Sequence, residues 1–221
     1  SRSGEGCMSL TAGVLHLDRA AIQALKVTDP YSLHRVVYGL YPDVRDEAAK
    51  AGSTASGILW ADQGGDIRGR RILLLANREP AKQAQGGHGE VQSHPIAEGF
   101  FRHQCYRFKV IINPTKRENQ SGKLVPVKGR NAVAAWFVER APTSWGFSVS
   151  PEYLQVDRIE VLRFKDKAQH FVTLAQAHIS GELRVLDRAQ FQQSFSQGIG
   201  RGRAFGCGLL QIVPLLDNPF A

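Results

Sequence analysis

The sequence holds little cysteine and a single methionine. Cys7, Cys105 and Cys207 are odd in number, lie about a hundred residues apart and include no CxxC pair. Neither a disulfide framework nor a zinc site follows from them, and a reducing cytoplasm is the expected setting. Long hydrophobic runs are also missing. Stretches such as Ile72–Ala76 and Ile212–Leu216 fall far short of the ~20 apolar residues that cross a bilayer, so no membrane span is expected. Ser1–Cys7 carries no apolar stretch of signal-peptide type and is expected to be a tail or remnant outside the fold. No metal-binding histidine spacing, paired carboxylates or Ser/His/Asp constellation stands out, so neither a metal nor a cofactor is expected.

What is present suits a folded domain or two. The chain has 221 residues, 43% of them hydrophobic and 22% charged, enough apolar side chain to build a core and too much to remain disordered. Acidic residues are the minority charge: 28 lysines and arginines face 20 aspartates and glutamates, leaving +8. An excess of that sign favours a polyanionic partner.

Patterning places Leu10–Leu17 as a strand, then a helix over Tyr31–Tyr41 that Asp29 and Pro30 start and Pro42 stops. Gly57–Ala61 and Arg71–Ala76 read as paired strands across a turn-rich Asp62–Gly69, and Arg78–Gly99 reads as a long loop. From Phe100 the pattern restarts. Tyr106–Asn113 is a strand and Gly129–Ala141 a helix, followed by strands near Phe147–Val149 and Ile159–Phe164. A strand pair is expected over Phe171–Ile179 and Gly181–Leu186, a helix from Asp187 to Gln197, and a last strand over Cys207–Leu215. The second half reads as βαββαβ and the first fits the same plan with a degraded second helix. The expected class is α+β, with two tandem antiparallel sheets, each carrying helices on one face. The expected domains are residues 8–99 and 100–221.

The positive charge is concentrated. Between residues 102 and 130, Arg102, Arg107, Lys109, Lys116, Arg117, Lys123, Lys128 and Arg130 face the single acid Glu118. Within this stretch Asn113–Lys128 has the turn residues of an exposed loop, able to follow phosphates. The competing reading is a solvated loop, and the clustering of charge favours nucleic acid. A second basic feature runs from Gly198 through Gly200, Arg201, Gly202, Arg203 and Ala204 to Gly208. Glycines let backbone amides approach phosphates, and the arginines add charge and forked donors. A tight connection that needs glycine for backbone reasons would look the same. A dinucleotide fingerprint is excluded, because this segment follows a helix and enters a strand.

On the first helix Leu33, Val36, Val37 and Leu40 form the core stripe, while Tyr31, His34, Tyr38 and Tyr41 form a second stripe about 130° away. Tyr31 and His34 are i, i+3 neighbours, close enough to serve one reacting group. A histidine can take the proton of a ribose 2′-hydroxyl or supply one to the departing 5′-oxygen, with a tyrosine orienting or sharing the transfer and nearby cations stabilising the phosphoryl oxygens. The plain alternative is a packed interface histidine. His16 could face His34 across a cleft; His88, His94, His103, His170 and His178 are read as structural.

Three segments together resemble the CasE-type CRISPR endoribonucleases, the repeat-RNA processing subunits of Cascade complexes. They are Tyr31-Ser32-Leu33-His34 with Gly39-Leu40-Tyr41-Pro42, then Phe108–Lys116 ending in Asn113-Pro114-Thr115-Lys116, and Gln197–Gly200 through Gly206–Leu210. The resemblance implies two ferredoxin-like (RRM-like) domains. It implies metal-independent cleavage of precursor CRISPR RNA at the base of each repeat hairpin, leaving a 5′-hydroxyl, and retention of the guide RNA among other Cas subunits. On this resemblance His34 and Tyr31 are catalytic. The charge and glycine readings, with which the resemblance agrees, have RNA held by Arg107, Lys109, Lys116, Arg117, Lys123, Lys128, Arg130, Gly198, Gly200, Arg201 and Arg203. Ala204 departs from the pattern, standing where a hydroxyl residue is expected, while Arg203 keeps the basic position. Two other classes remain: a non-catalytic RNA-binding subunit, and a scaffold whose positive patch docks an acidic partner.

Overall fold

In the computed structural model, residues 9–46, 48 and 55–216 are described, so Ser1–Cys7 lies outside the described residues. Asp29 and Pro30 start a helix as their chemistry dictates. The Asp29 carboxylate accepts the Ser32 amide at 2.7 Å, the Ser32 hydroxyl accepts the Asp29 amide at 3.0 Å, and proline occupies the first helical turn, where no amide is needed. This helix, α2 (Pro30–Tyr38), follows β1 (Thr11–Leu17) and a short α1 (Arg19–Ala24) that the sequence pattern did not signal. Next come β2 (Ile58–Asp66), β3 (Gly69–Ala76) and β4 (Glu90–Pro95), and the sheet order is β2-β3-β1-β4, antiparallel throughout.

Two expectations are corrected in this half. The Arg78–Gly99 segment is not all loop, because it contains β4. Only Val91 of that strand is buried, so its pairing with β1 rests on main-chain hydrogen bonds and leaves no hydrophobic alternation to read. The helix also ends at Tyr38, three residues before the expected Tyr41. Only the one-turn helix Gln85–Gly87 stands where a second helix would cross over.

The second half contains β5 (Cys105–Ile112), the small hairpin β6 (Thr115–Arg117) and β7 (Leu124–Pro126), and α3 (Arg130–Ser144). It continues with β8 (Phe147–Ser148), β9 (Leu154–Lys165), β10 (Phe171–Val185), α4 (Arg188–Gln197) and β11 (Gln211–Pro214). Its sheet order is β11-β5-β10-β8, with β9 also pairing along β10. Both halves thus have the fourth, first, third and second strands side by side, the ferredoxin-like order, and the α+β expectation is borne out. The expected strand pair over Phe171–Leu186 is instead one strand. Gly181 is not a turn there; a side chain at that position would run into the Tyr153 carbonyl on the neighbouring segment.

Alternation sorts the side chains. Leu15, Leu17, Ile58, Trp60, Ile72 and Leu74 pack with Leu33, Val36 and Val37 of α2 in one buried cluster. The opposite face of the same sheet contributes Leu59, Ala61 and Leu75 to a second cluster shared with the rest of the chain. That larger cluster is aromatic at its centre: Phe108 of β5 stacks on Phe137 of α3 with centroids 5.6 Å apart, beside Phe147 and Phe191. Among the described residues no helix is long and apolar enough to cross a membrane.

Candidate active site and nucleic-acid interface

The apolar stripe of α2 turns inward, which leaves the Tyr31–His34–Tyr38 side to meet the glycine-rich segment that follows α4. There His34 Nδ1 lies 2.8 Å from the carbonyl oxygen of Ala204. A carbonyl has no proton to give, so Nδ1 must carry the hydrogen and donate it. In the neutral ring the lone pair is then on Nε2. The same carbonyl accepts from Trp60 Nε1 at 3.2 Å. Rings close around the imidazole, with Tyr38 at 3.9 Å, Phe205 at 5.7 Å and Tyr31 at 6.2 Å between centroids, Tyr31 lying nearly parallel at 19°. Tyr38 is itself held, its phenolic oxygen accepting from Ser56 Oγ at 3.1 Å.

This half-buried setting pulls the His34 pKa below its ordinary 6.5. Desolvation of the charged ring is the larger cause, and the bond to Ala204 opposes it in part. Near neutral pH the uncharged ring is therefore the favoured form. Arg201 and Arg203 precede Ala204 within three residues, so the segment that fixes the tautomer also carries two cations.

The glycine segment is a built connection. Gly198, Gly200, Gly202, Gly206 and Gly208 all have positive φ, and at Gly206 a side chain would sit 2.8 Å from the Trp60 ring. The Gly198 amide is committed to the Ser194 carbonyl at 3.0 Å and that residue is buried. Its amide is therefore not free to meet a phosphate, although the residue lines the groove described below. Arg203 Nε and Nη1 donate to the Gly200 and Gln197 carbonyls, at 3.1 and 3.0 Å, so its guanidinium braces the loop.

A groove of about 1390 Å³ runs between α3, α4, the β6–β7 hairpin and this segment. Lys116, Arg117, Arg140, Arg201 and Arg203 line it against the single acid Glu139. Lys123 and Lys128 are exposed on or beside the hairpin without lining the groove, and Gly200 lines it half-buried. The expected loop over Asn113–Lys128 holds the β6–β7 ladder, joined to the glycine segment by the bridge between Asn113 and Arg201. Arg140 was missed by sequence reasoning, since nothing on α3 marks the direction it takes.

Other expected residues fall elsewhere. Arg107 and Lys109 alternate with Tyr106, Phe108 and Val110, whose side packs on the helices, so they point to the opposite face of β5. Lys109 lines a separate cleft of about 730 Å³ between the two sheets. Arg130 donates to the carbonyls of Val156 and Asp157. Tyr41 is not on the stripe that carries Tyr31 and His34: past the end of α2 it turns into the core, 6% exposed, where burial pushes its hydroxyl pKa well up. His16 does not face His34, because it lies on the opposite face of β1 from Leu15 and Leu17, which pack with α2. His178 joins Glu160 at 3.1 Å on the second sheet. Among the described residues no group of three or more metal-ligating side chains converges.

The comparisons agree with this fold. A family model described as CRISPR associated protein matches residues 10–214, and the chain belongs to that family. The CRISPR-associated endoribonuclease Cse3 of Thermus thermophilus is 32% identical over 220 residues, spanning 94% of this chain and all of that protein. The resemblance read from the three segments, to CasE-type endoribonucleases, is thereby borne out. Among solved structures, a CRISPR endoribonuclease Cse3 bound to a 19-nucleotide RNA superposes with a TM-score of 0.77 at 23% identity, covering 93% of this chain and 100% of that one. A chain of a CRISPR RNA-guided surveillance complex superposes at 0.65 with 20% identity, covering 94% and 100%. Those two likenesses are of fold.

Proposed function

We propose that this chain is a metal-independent endoribonuclease that cuts precursor CRISPR RNA at the base of each repeat hairpin. It keeps the mature guide RNA and joins other Cas subunits of a Cascade-like complex in the cytoplasm. The observation that carries this reading is the Nδ1–H of His34 held on the Ala204 carbonyl at 2.8 Å, which leaves Nε2 as the ring's basic site. Nε2 takes the proton of the ribose 2′-hydroxyl, that oxygen bonds to the adjacent phosphorus, and the bond from phosphorus to the 5′-oxygen breaks. The products are a 2′,3′-cyclic phosphate and, once the departing oxygen is protonated, a 5′-hydroxyl. Tyr31, stacked beside the imidazole, orients or shares the proton transfer. Arg201 stabilises the phosphoryl oxygens, with Arg203 holding the loop that carries it.

The groove supports the binding half of the proposal. Lys116, Arg117 and Arg201 follow the stem's phosphates, with Lys123 and Lys128 extending the positive path along the hairpin. An A-form stem is recognised through its backbone and shape, which suits a wide cationic groove. The division into residues 8–99, bearing the Tyr/His helix, and 100–221, bearing the groove and glycine segment, belongs to the same reading. Single-turnover cleavage of a repeat RNA in chelator tests it. Loss of cutting in His34→Ala with binding retained supports the assignment, and unchanged cutting overturns it. Replacing the 2′-hydroxyl at the cut by hydrogen must also stop the reaction. The second reading is a non-catalytic RNA-binding subunit, favoured by the close packing of His34 on Tyr38 at 3.9 Å; it requires tight binding without turnover.

A further inference from the structure

The β9–β10 ribbon leaves part of the second sheet uncovered. Ala177 and Ile179 of β10 pair with Ile112 and Val110 of β5, on the side that α3 and α4 cover. Alternation puts Phe171, Thr173 and Ala175 on that same side, opposite Lys165, Arg163 and Val161 of β9. Burial vanishes along the row. Ala177 is 0% exposed, whereas Phe171 is 72% and Val161 60% exposed. The Lys165 ammonium sits 5.1 Å from the Phe171 ring centroid, and none of these six side chains is acidic.

The position matters as much as the composition. The Ala175 carbonyl accepts from Asn113 Nδ2 at 2.6 Å, and Asn113 bridges to Arg201, so the bare face adjoins the cationic groove. On the ribbon's other face Phe164 packs on Phe205 at 4.9 Å, beside His34. The ribbon thus has the cationic groove beside one face and the surroundings of His34 beside the other. We propose that Phe171, flanked by Lys165 and Arg163, is a stacking platform for an unpaired nucleotide where single-stranded RNA leaves the stem. A ring face accepts any base, and the two cations neutralise the phosphates on either side. The inference rests on the reading of the groove as an RNA site and adds the flanking strand to what is recognised.

Equilibrium binding to two RNAs tests it, a bare stem-loop and the same stem-loop with unpaired flanks, each with 2′-deoxyribose at the junction. Phe171→Ala is expected to bind the flanked RNA about tenfold more weakly and the bare stem-loop as the parent does, with Phe171→Trp restoring the difference. Equal weakening on both RNAs, or none on the flanked one, overturns the platform; the second result would assign the patch to a protein partner. Failure of the parent protein to bind the bare stem-loop would instead strike down the groove reading, and this inference with it.

Discussion

His34 and Ala204 are 170 positions apart in the chain, yet the imidazole Nδ1 stands 2.8 Å from the Ala204 carbonyl oxygen. The Ala204 side chain is a methyl group with no polar atom, so this residue serves through its main chain. One backbone oxygen fixes the ring's tautomer and, by also accepting from Trp60, ties the glycine segment to the first sheet.

Removing the imidazole should separate binding from chemistry. His34→Ala is expected to lower single-turnover cleavage by about 10²-fold or more, the usual worth of a positioned acid–base group, while RNA affinity stays within about twofold. Tyr31→Phe, which keeps the ring stack and loses the hydroxyl, should fall between that variant and the parent. Rates and affinities measured on the same RNA decide both.

The pH dependence has a definite sign. Burial lowers the His34 pKa from 6.5, so cleavage that needs the neutral ring should be level above about pH 7 and fall on the acid side with a midpoint below 6.5. Stability moves the same way. Between the two pKa values the unfolded chain binds a proton that the folded ring resists, so stability declines as pH drops from the unfolded value towards the folded one and the loss is complete below it. A rate midpoint above 6.5 would contradict the buried-base assignment.

Gly206 offers a test of the loop rather than the ring. Its φ is +85° and a methyl group would meet the Trp60 ring at 2.8 Å, so Gly206→Ala combines left-handed strain of about 1 kcal/mol or more with a clash. A lower melting temperature and slower cleavage are expected, with the salt dependence of RNA binding unchanged. Full activity in this variant would detach the Trp60–Ala204–His34 chain of contacts from catalysis.

Salt dependence should distinguish the groove from the face of β5 that carries Arg107 and Lys109. Lys116→Ala, Arg117→Ala and Arg201→Ala are each expected to reduce the slope of log affinity against log salt by about one. Arg107→Ala and Lys109→Ala, on that face of β5, should leave it unchanged. A slope that responds equally to all five would place RNA at both.

Much of the fold was legible because local rules and tertiary packing agreed. Asp29, Pro30 and the Leu33–Val36–Val37 stripe announce α2, and Asp187 caps α4 by accepting the Gln190 amide at 3.0 Å. The failures share a cause. β4 buries only Val91, Gly181 lies inside a strand for a contact with Tyr153, and Tyr41 leaves the helical stripe because α2 ends early; each depends on a neighbour remote in the chain. The pairing of Tyr31 with His34 was readable from spacing, whereas Trp60, Ala204 and Phe205 carried no local signal of belonging beside them.

The linear order of residues by itself determined where helices and strands could form, that the positive charge gathers between residues 102 and 130, and that Tyr31 and His34 share a helix face. Those properties depend on backbone dihedrals and on side-chain periods of a few residues, which a short window contains. Only the tertiary structure decided that the His34 ring is held through Nδ1 on the Ala204 carbonyl, that Arg107 and Lys109 face away from the groove lined by Lys116 and Arg117, and that Phe171 is left bare. A tautomer, a shared groove and an uncovered face are each set by which distant segments come within a few ångströms, and contacts at that range are created by folding.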